Sequence, residues 1–335
     1  PGCSREHIPV LTVQPANLYS WWRDDKSISC PFHSRNFSIP GPQGGGVGSF
    51  GRFLFSCLNV AIRFSDPYLT VWHMIFGRSV IGTVFLVVMA QSLGIGLAGQ
   101  RRRVLLFLGC TGTAGILFLT LALLRIPLFQ ALVLFYTYPV VAAVISPWLT
   151  SDKNSLRDWA CIGLAFMGTA LTLWSGRMNG LELDIGHVAG LVASGFMGLT
   201  LTLVRRVSRE NTPLTPIFYI SIVGGAAGFF PMLHPEVGFI VPALGLAWLM
   251  AIGMFAVLAH IATNAALSFI ASAKVGSISM LEVLFGAVYG YVLFSEYLGW
   301  STLVGGALII LASFGLAQSG DRVRRGEYKD ARPKL

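Results

Sequence analysis

Two ionisable side chains lie deep inside apolar runs of this sequence, Arg78 within residues 69–93 and Glu282 within residues 274–294. A charge at such depth costs a few kcal/mol on insertion scales, so it marks a site that binds, pairs or moves a proton. A carboxylate that alternates between burial and a nearby cation can bind and release a proton in each cycle. A guanidinium can hold an anion or pair with that carboxylate, and Arg78 is the expected partner of Glu282. The competing expectation is a static pair that only ties two helices together. His260 and Asn264 stand four apart in the apolar run just before that of Glu282, on one helical face, and are placed to line the same interior. Either one alone also suits an interhelical hydrogen bond. Tyr138, beside Pro139, and His73 and Tyr219 complete the set of binding or coupling candidates. Asn59, Thr111, Thr120, Tyr136 and Tyr289 are weaker ones.

No other chemistry is spelled out. The five cysteines (3, 30, 57, 110 and 161) make no C-x-x-C pair, and the six histidines are scattered. Neither pattern suits a metal site or a disulfide framework. Glu282 with His260 could form the acid–base pair of a membrane-embedded enzyme. No Ser-His-Asp set, metal-ligand cluster or nucleotide loop accompanies them, so no enzyme and no cofactor are expected.

The elements that must position these residues are membrane-crossing helices. Hydrophobic residues make up 54% of the chain and charged residues 12%, against about 25% charged in soluble domains. The net charge of +9 does not signal nucleic-acid binding, because the basic residues sit at helix ends rather than on one face. Crossings are expected at about 69–93, 103–124, 128–150, 157–175, 187–205, 214–233 and 241–269, then two more joined by a tight turn in 274–320. From Tyr297 to Gly320 there is no charged residue. The first crossing is weak: Arg52 and Arg63 bracket a short apolar run, which spans a bilayer only if the preceding glycines are drawn in and both arginines snorkel. Residues 1–48, with Pro9, Pro15, Pro31, Pro40, Pro42 and Gly44 to Gly46, are expected to be a disordered segment. Residues 319–335 read as a basic tail.

With both termini in the cytoplasm, the interior loops hold nine basic residues (Arg101, Arg102, Arg103, Lys153, Arg157, Arg205, Arg206, Arg209, Lys274). The exterior loops hold three, Arg63, Arg125 and Arg177. That asymmetry sets the orientation of a multi-pass protein of the plasma, or inner, membrane. The sequence also repeats. A shift of 144 places Ser151-Asp152 on Ser295-Glu296, Ala142 and Ser146 on Gly286 and Gly290, and Gly109 on Gly253. A shift of 146 places Gly82 on Gly228 and His73 on Tyr219. Five helices per half is an odd number, so the halves lie inverted. Gly286 and Gly290 are expected to pack against another helix, and Ile309 to face lipid.

These residues resemble the EamA-type drug/metabolite transporter superfamily over about 50–318. The resemblance rests on Tyr138-Pro139-Val140-Val141-Ala142-Ala143 leading to Asp152, and on Leu281-Glu282-Val283-Leu284-Phe285 leading to Glu296. It rests also on the Gly-rich helices around Gly163 and Gly305-Gly306, and on Arg78 in helix 2. The resemblance implies an all-α polytopic fold of ten transmembrane helices, the first one short, in two inverted five-helix repeats, 49–176 and 187–318. It also implies secondary-active export of a small metabolite, amino acid or drug-like solute by alternating access around a central cavity, while proton coupling at Glu282 is expected from its depth alone. A nucleotide-sugar or phosphate-ester exchanger is the alternative, although only Arg78 and Lys274 would offer it cations. Lipid and a small solute are the expected partners, and the oligomeric state is left open, a homodimer included. Three positions depart from the family pattern. Helix 1 lacks its usual first half, Ser151 and Ser295 stand where glycine usually precedes the acid, and Val283 replaces the proline that Pro139 keeps.

Overall fold

A proline and two arginines set the shape that the apolar runs leave undecided. The computed structural model describes residues 43–149, 155–178, 184–208, 210–269, 278–279, 281–297 and 299–330. Side chains at 43–45, 93, 146–149, 173–178, 264–269 and 316–330 lie outside that description. The helices are α1 (Gln43–Ser65), α2 (Val71–Leu93), α3 (Arg102–Arg125), α4 (Leu128–Phe135), α5 (Tyr138–Leu149) and α6 (Leu156–Met178). They continue with α7 (Ile185–Val207), α8 (Leu214–Met232), α9 (Ala243–Phe269), α10 (Leu281–Phe294) and α11 (Trp300–Asp330). There is no strand among the described residues.

The first helix is not short. It runs for 23 residues, about 35 Å at about 1.5 Å per residue. Gly44 to Gly46 are inside it, which corrects the expectation that the Gly-rich stretch before residue 49 stays irregular. The expectation for residues 1–42 lies outside the described residues. Neither Arg52 nor Arg63 snorkels outward, and both side chains are mostly covered, at 13% and 23% exposure. The fourth crossing is interrupted. Pro139 has no N–H to give the carbonyl four residues back, and the helix opens at Tyr136 and Thr137 to leave α4 and α5. At the break, Tyr136 N–H still reaches Leu132 O at 2.8 Å, while Thr137 N–H tightens onto Leu134 O at 3.2 Å. Two helices start on histidine caps. Asp184 N–H donates to His187 Nδ1 at 3.2 Å, and Thr70 N–H to His73 Nδ1 at 3.3 Å.

The two halves meet through like helices. In α2 and α8, which run antiparallel, Gly82 lies against Ser221, Gly224 against Ser79 and Gly228 against Phe76. Gly82 and Gly228 are equivalent under the shift of 146, and so are positions 76 and 222. Gly228 meets position 76 and Gly82 meets position 221, one residue from 222, so the two contacts agree to within one residue about an approximate dyad. The next layer repeats the rule, with α1 on α9 matched by α3 on α7, and α6 packed on α11. At that last seam the backbones of Gly168 and Gly305 approach closely. Ile309 is in this core, 1% exposed, which corrects its placement on the lipid face. Gly286 faces Leu132 of α4, but Gly290 faces Glu296 of its own following turn, so only the first packs on another helix.

The dyad gives a direct test. A Cβ at Gly228 would fall on the backbone of Phe76. Gly228→Leu is expected to destabilise by about 1–3 kcal/mol through overpacking and to lower the detergent melting temperature. Val288→Leu, at a position 55% exposed, should change it little. Equal tolerance would show that the α2–α8 contact is not close-packed.

Candidate functional site

Glu282 enters in the first turn of α10 and is buried, 5% exposed. Such a group must find hydrogen-bond partners or stay neutral, and the first half of the chain supplies them. Asn59 Nδ2 of α1 donates to Oε1 at 2.9 Å. The Tyr136 hydroxyl, at the helix break, donates to Oε2 at 2.7 Å. Arg52 Nη1 of α1 lies 3.7 Å from the same oxygen. The cation within ion-pair range of Glu282 is thus Arg52 and not the expected Arg78.

Arg78 meets the second half elsewhere. Its Nη2 is 3.4 Å from Nε2 of His260 on α9. A guanidinium has only donors, so Nε2 takes the acceptor role and the ring proton lies on Nδ1. The His260 ring stands edge-on to Phe55, with centroids 5.1 Å apart, and Phe55 in turn lies 5.3 Å under the Arg52 guanidinium. Glu282, Arg52, Phe55, His260 and Arg78 therefore form one run of side chains from α10 through α1 to α9 and α2. Tyr138 joins it through ring contacts with Tyr136, at 5.6 Å, and with Phe135.

Other candidates lie elsewhere. His73 is a cap whose remaining ring nitrogen, Nε2, donates to Gly238 O at 3.1 Å. Tyr219 donates to Ala98 O at 2.8 Å. The two residues align across the halves, and each ties the loop after the partner half's second helix, at opposite ends of the bundle. They are not brought to Glu282. The side chain of Asn264, and Asp152, Lys153 and Lys274, lie outside the described residues. Thr111 accepts from Thr200 at 2.9 Å and Thr120 turns back on Ile116 O, so both serve packing. No group of three or more His, Cys, Asp or Glu able to hold a metal occurs among the described residues.

Sequence reasoning missed Arg52 and ranked Asn59 and Tyr136 low. Spacing held the signal: Arg52, Phe55, Asn59 and Arg63 fall at i, i+3, i+7 and i+11, one face of a helix. Treating each arginine as the end of an apolar run hid that face.

A second ion pair closes one end of the site. Ser295 adopts φ 51°, a left-handed conformation that favours glycine, and so turns the chain back after α10. Glu296 Oε1 then faces Arg63 Nη2 at 3.1 Å, while Oε2 accepts from Leu128 N–H at 2.8 Å at the start of α4. Arg63 Nη1 also donates to Leu123 O and Ile126 O, each at 2.6 Å. Burial pushes the Glu296 carboxyl up, against the Arg63 charge and the Leu128 N–H that pull it down.

The EamA-like transporter family model matches residues 48–174 and again 184–318. The chain belongs to the EamA-like transporter family. It is 23% identical over 269 residues to the pseudopaline exporter CntI of Pseudomonas aeruginosa strain UCBPP-PA14, covering 80% of this chain and 93% of that one. It is 30% identical over 151 residues to the uncharacterized transporter sll1319 of Synechocystis sp., over 40% of this chain and 46% of that one. One solved crystal structure superposes on 84% of this chain and 99% of its own, at TM-score 0.55 and 17% identity, which supports the fold alone. The expected all-α fold of an integral, multi-pass EamA transporter therefore holds.

The Arg63–Glu296 pair makes a prediction about this family member. Removing one partner of a buried pair strands the other and costs about 3 kcal/mol or more, whereas removing both is cheaper. Arg63→Met is expected to lower the melting temperature, and Arg63→Met with Glu296→Leu to recover most of the loss. A double variant as unstable as the sum of the singles would mean that the two side chains are not coupled.

Proposed function

We propose that this transporter is a secondary-active exporter of a small metabolite, working by alternating access between its inverted halves, with Glu282 as the coupling group. The carrying observation is that a buried carboxylate of the second half is held, among the described residues, by first-half side chains, Asn59, Tyr136 and Arg52. Rocking the halves would have to exchange those partners, so proton binding at Glu282 and the state of the bundle are linked. Similarity to pseudopaline exporters supports the outward direction and makes pseudopaline the first solute to assay. The enzyme reading has less behind it, because His260 engages Arg78 rather than Glu282.

Transport in vesicles separates coupling from mere support. Glu282→Gln is expected to abolish flux of labelled pseudopaline or amino acids driven by a pH gradient, while exchange at equal pH persists. Were the pair only structural, Glu282→Gln would strand Arg52, and Arg52→Gln would restore folding without any change in gradient dependence. Gradient-driven flux equal to wild type in Glu282→Gln would overturn the coupling role.

Orientation is a separate part of the proposal, resting on the basic residues of the interior loops. In a cysteine-free background, Glu236→Cys is expected to react with an impermeant thiol reagent on intact cells and Ser208→Cys only after lysis. Both positions are exposed. The reverse pattern would invert the topology.

A further inference from the structure

The buried polar run is not balanced in charge. Arg52 and Arg78 stand in it against one carboxylate, Glu282, among the described residues. Glu282 is already filled, with Asn59 on Oε1 and Tyr136 and Arg52 on Oε2. Arg78 has no carboxylate within 4 Å among the described residues, only the long 3.4 Å contact to His260. A guanidinium carries five N–H donors in a rigid fork, so most of its capacity is unspent. The side chain is half-buried, and its nitrogens are not among the sealed atoms left without a partner. Arg78 stands at the eighth position of a helix that is otherwise uncharged.

We propose that Arg78 is the subsite that takes the carboxylate of the transported solute. The inference rests on the transporter reading and gives it a substrate class. The fork geometry of arginine matches two carboxylate oxygens at once. His260 is the positioning residue: as an acceptor it holds one Nη and turns the other donors toward the α1–α2–α9 interior. Phe55, edge-on to that ring and under Arg52, fixes it in turn. A single spare positive charge suits a monoanion. A phosphate monoester, which carries close to two charges, would leave one uncompensated, so the carboxylate is the better match.

Thermal unfolding of the full chain in detergent tests this with acetate as the probe, against chloride, acetamide and inorganic phosphate at matched ionic strength. Acetate is expected to raise the wild-type melting temperature, acetamide and chloride to leave it unchanged, and phosphate to raise it less. Arg78→Gln should lose the acetate increment. Arg78→Lys, which keeps the charge and is the safer variant for folding, should lose most of it. No increment in wild type, or one that survives in both variants, overturns the subsite, and a larger increment with phosphate overturns the choice of carboxylate. An Arg78-dependent increment without any flux in proteoliposomes would keep the subsite and remove the transporter reading. Flux without the increment would do the opposite.

Discussion

A charge inside an apolar helical bundle has to be met by another group of the protein, and two arginines of α1 impose that demand on everything around them. They lie eleven residues apart in sequence, about 16 Å along the helix. Arg52 is answered by Glu282 at the start of α10, and Arg63 by Glu296 just past its end. Two such pairs align α10 parallel to α1 and fix its height against it. They also hold α4: Glu296 caps the first N–H of that helix, and Tyr136 at its far end reaches Glu282. Buried pairs of this kind add little net stability, because desolvation offsets attraction. What they define is position. The rise of Glu296 under burial, against two groups that pull the other way, fits that view.

The scaffold is symmetric but the chemistry is not. Glycines of α2 and α8 meet in nearly matching register about the dyad, and His73 and Tyr219 perform equivalent loop contacts at opposite ends. Under the shift of 144, however, Glu282 falls on Tyr138 and Val283 on Pro139. The proline that breaks the helix in one half is replaced by valine in the other. Helix α7, the equivalent of α1, carries no Asp, Glu, Lys or Arg before Arg205. One half supplies the arginines, the other the carboxylates. Duplication built two like frames, and divergence of a few residues placed a single polar run off the axis between them.

That division explains what could be read from the sequence. Apolar run length and the positions of proline and glycine fix the crossings, so the fold class, the inverted repeat and the depth of Glu282 and Arg78 were all legible. Pairing was not, because depth along two helices says nothing of the distance between them. Arg78 and Glu282 looked like partners as the two deepest charges. The true partner, Arg52, looked like the end of a run, since hydropathy treats any arginine as a boundary. The face shared by Arg52, Phe55, Asn59 and Arg63 could have been counted, but only after residues 43–51 had been accepted as helix. Three consecutive glycines argued against that. Packing decides the matter instead: Gly51 lets α1 lie against Ala262 and Thr263 of α9, and tertiary contact outweighs the entropy cost of helical glycine.

The polar contacts share one further property. Asn59, Tyr136 and Arg52 on Glu282, Arg78 on His260, and Arg63 on Glu296 all run from the first half to the second. So do Gln130 on His187, and Arg101 on Glu210 at 2.9 Å. Apolar packing is non-directional and survives small rotations, whereas hydrogen bonds and ion pairs require short distances and defined angles. Relative motion of the halves would therefore be felt first by these contacts, at both ends and in the middle together. Of them, the proposed coupling would use the Glu282 carboxylate, and the proposed subsite the donors of Arg78 not taken by His260. A motion that exchanges partners at the first and fills the second needs no other chemistry from this chain.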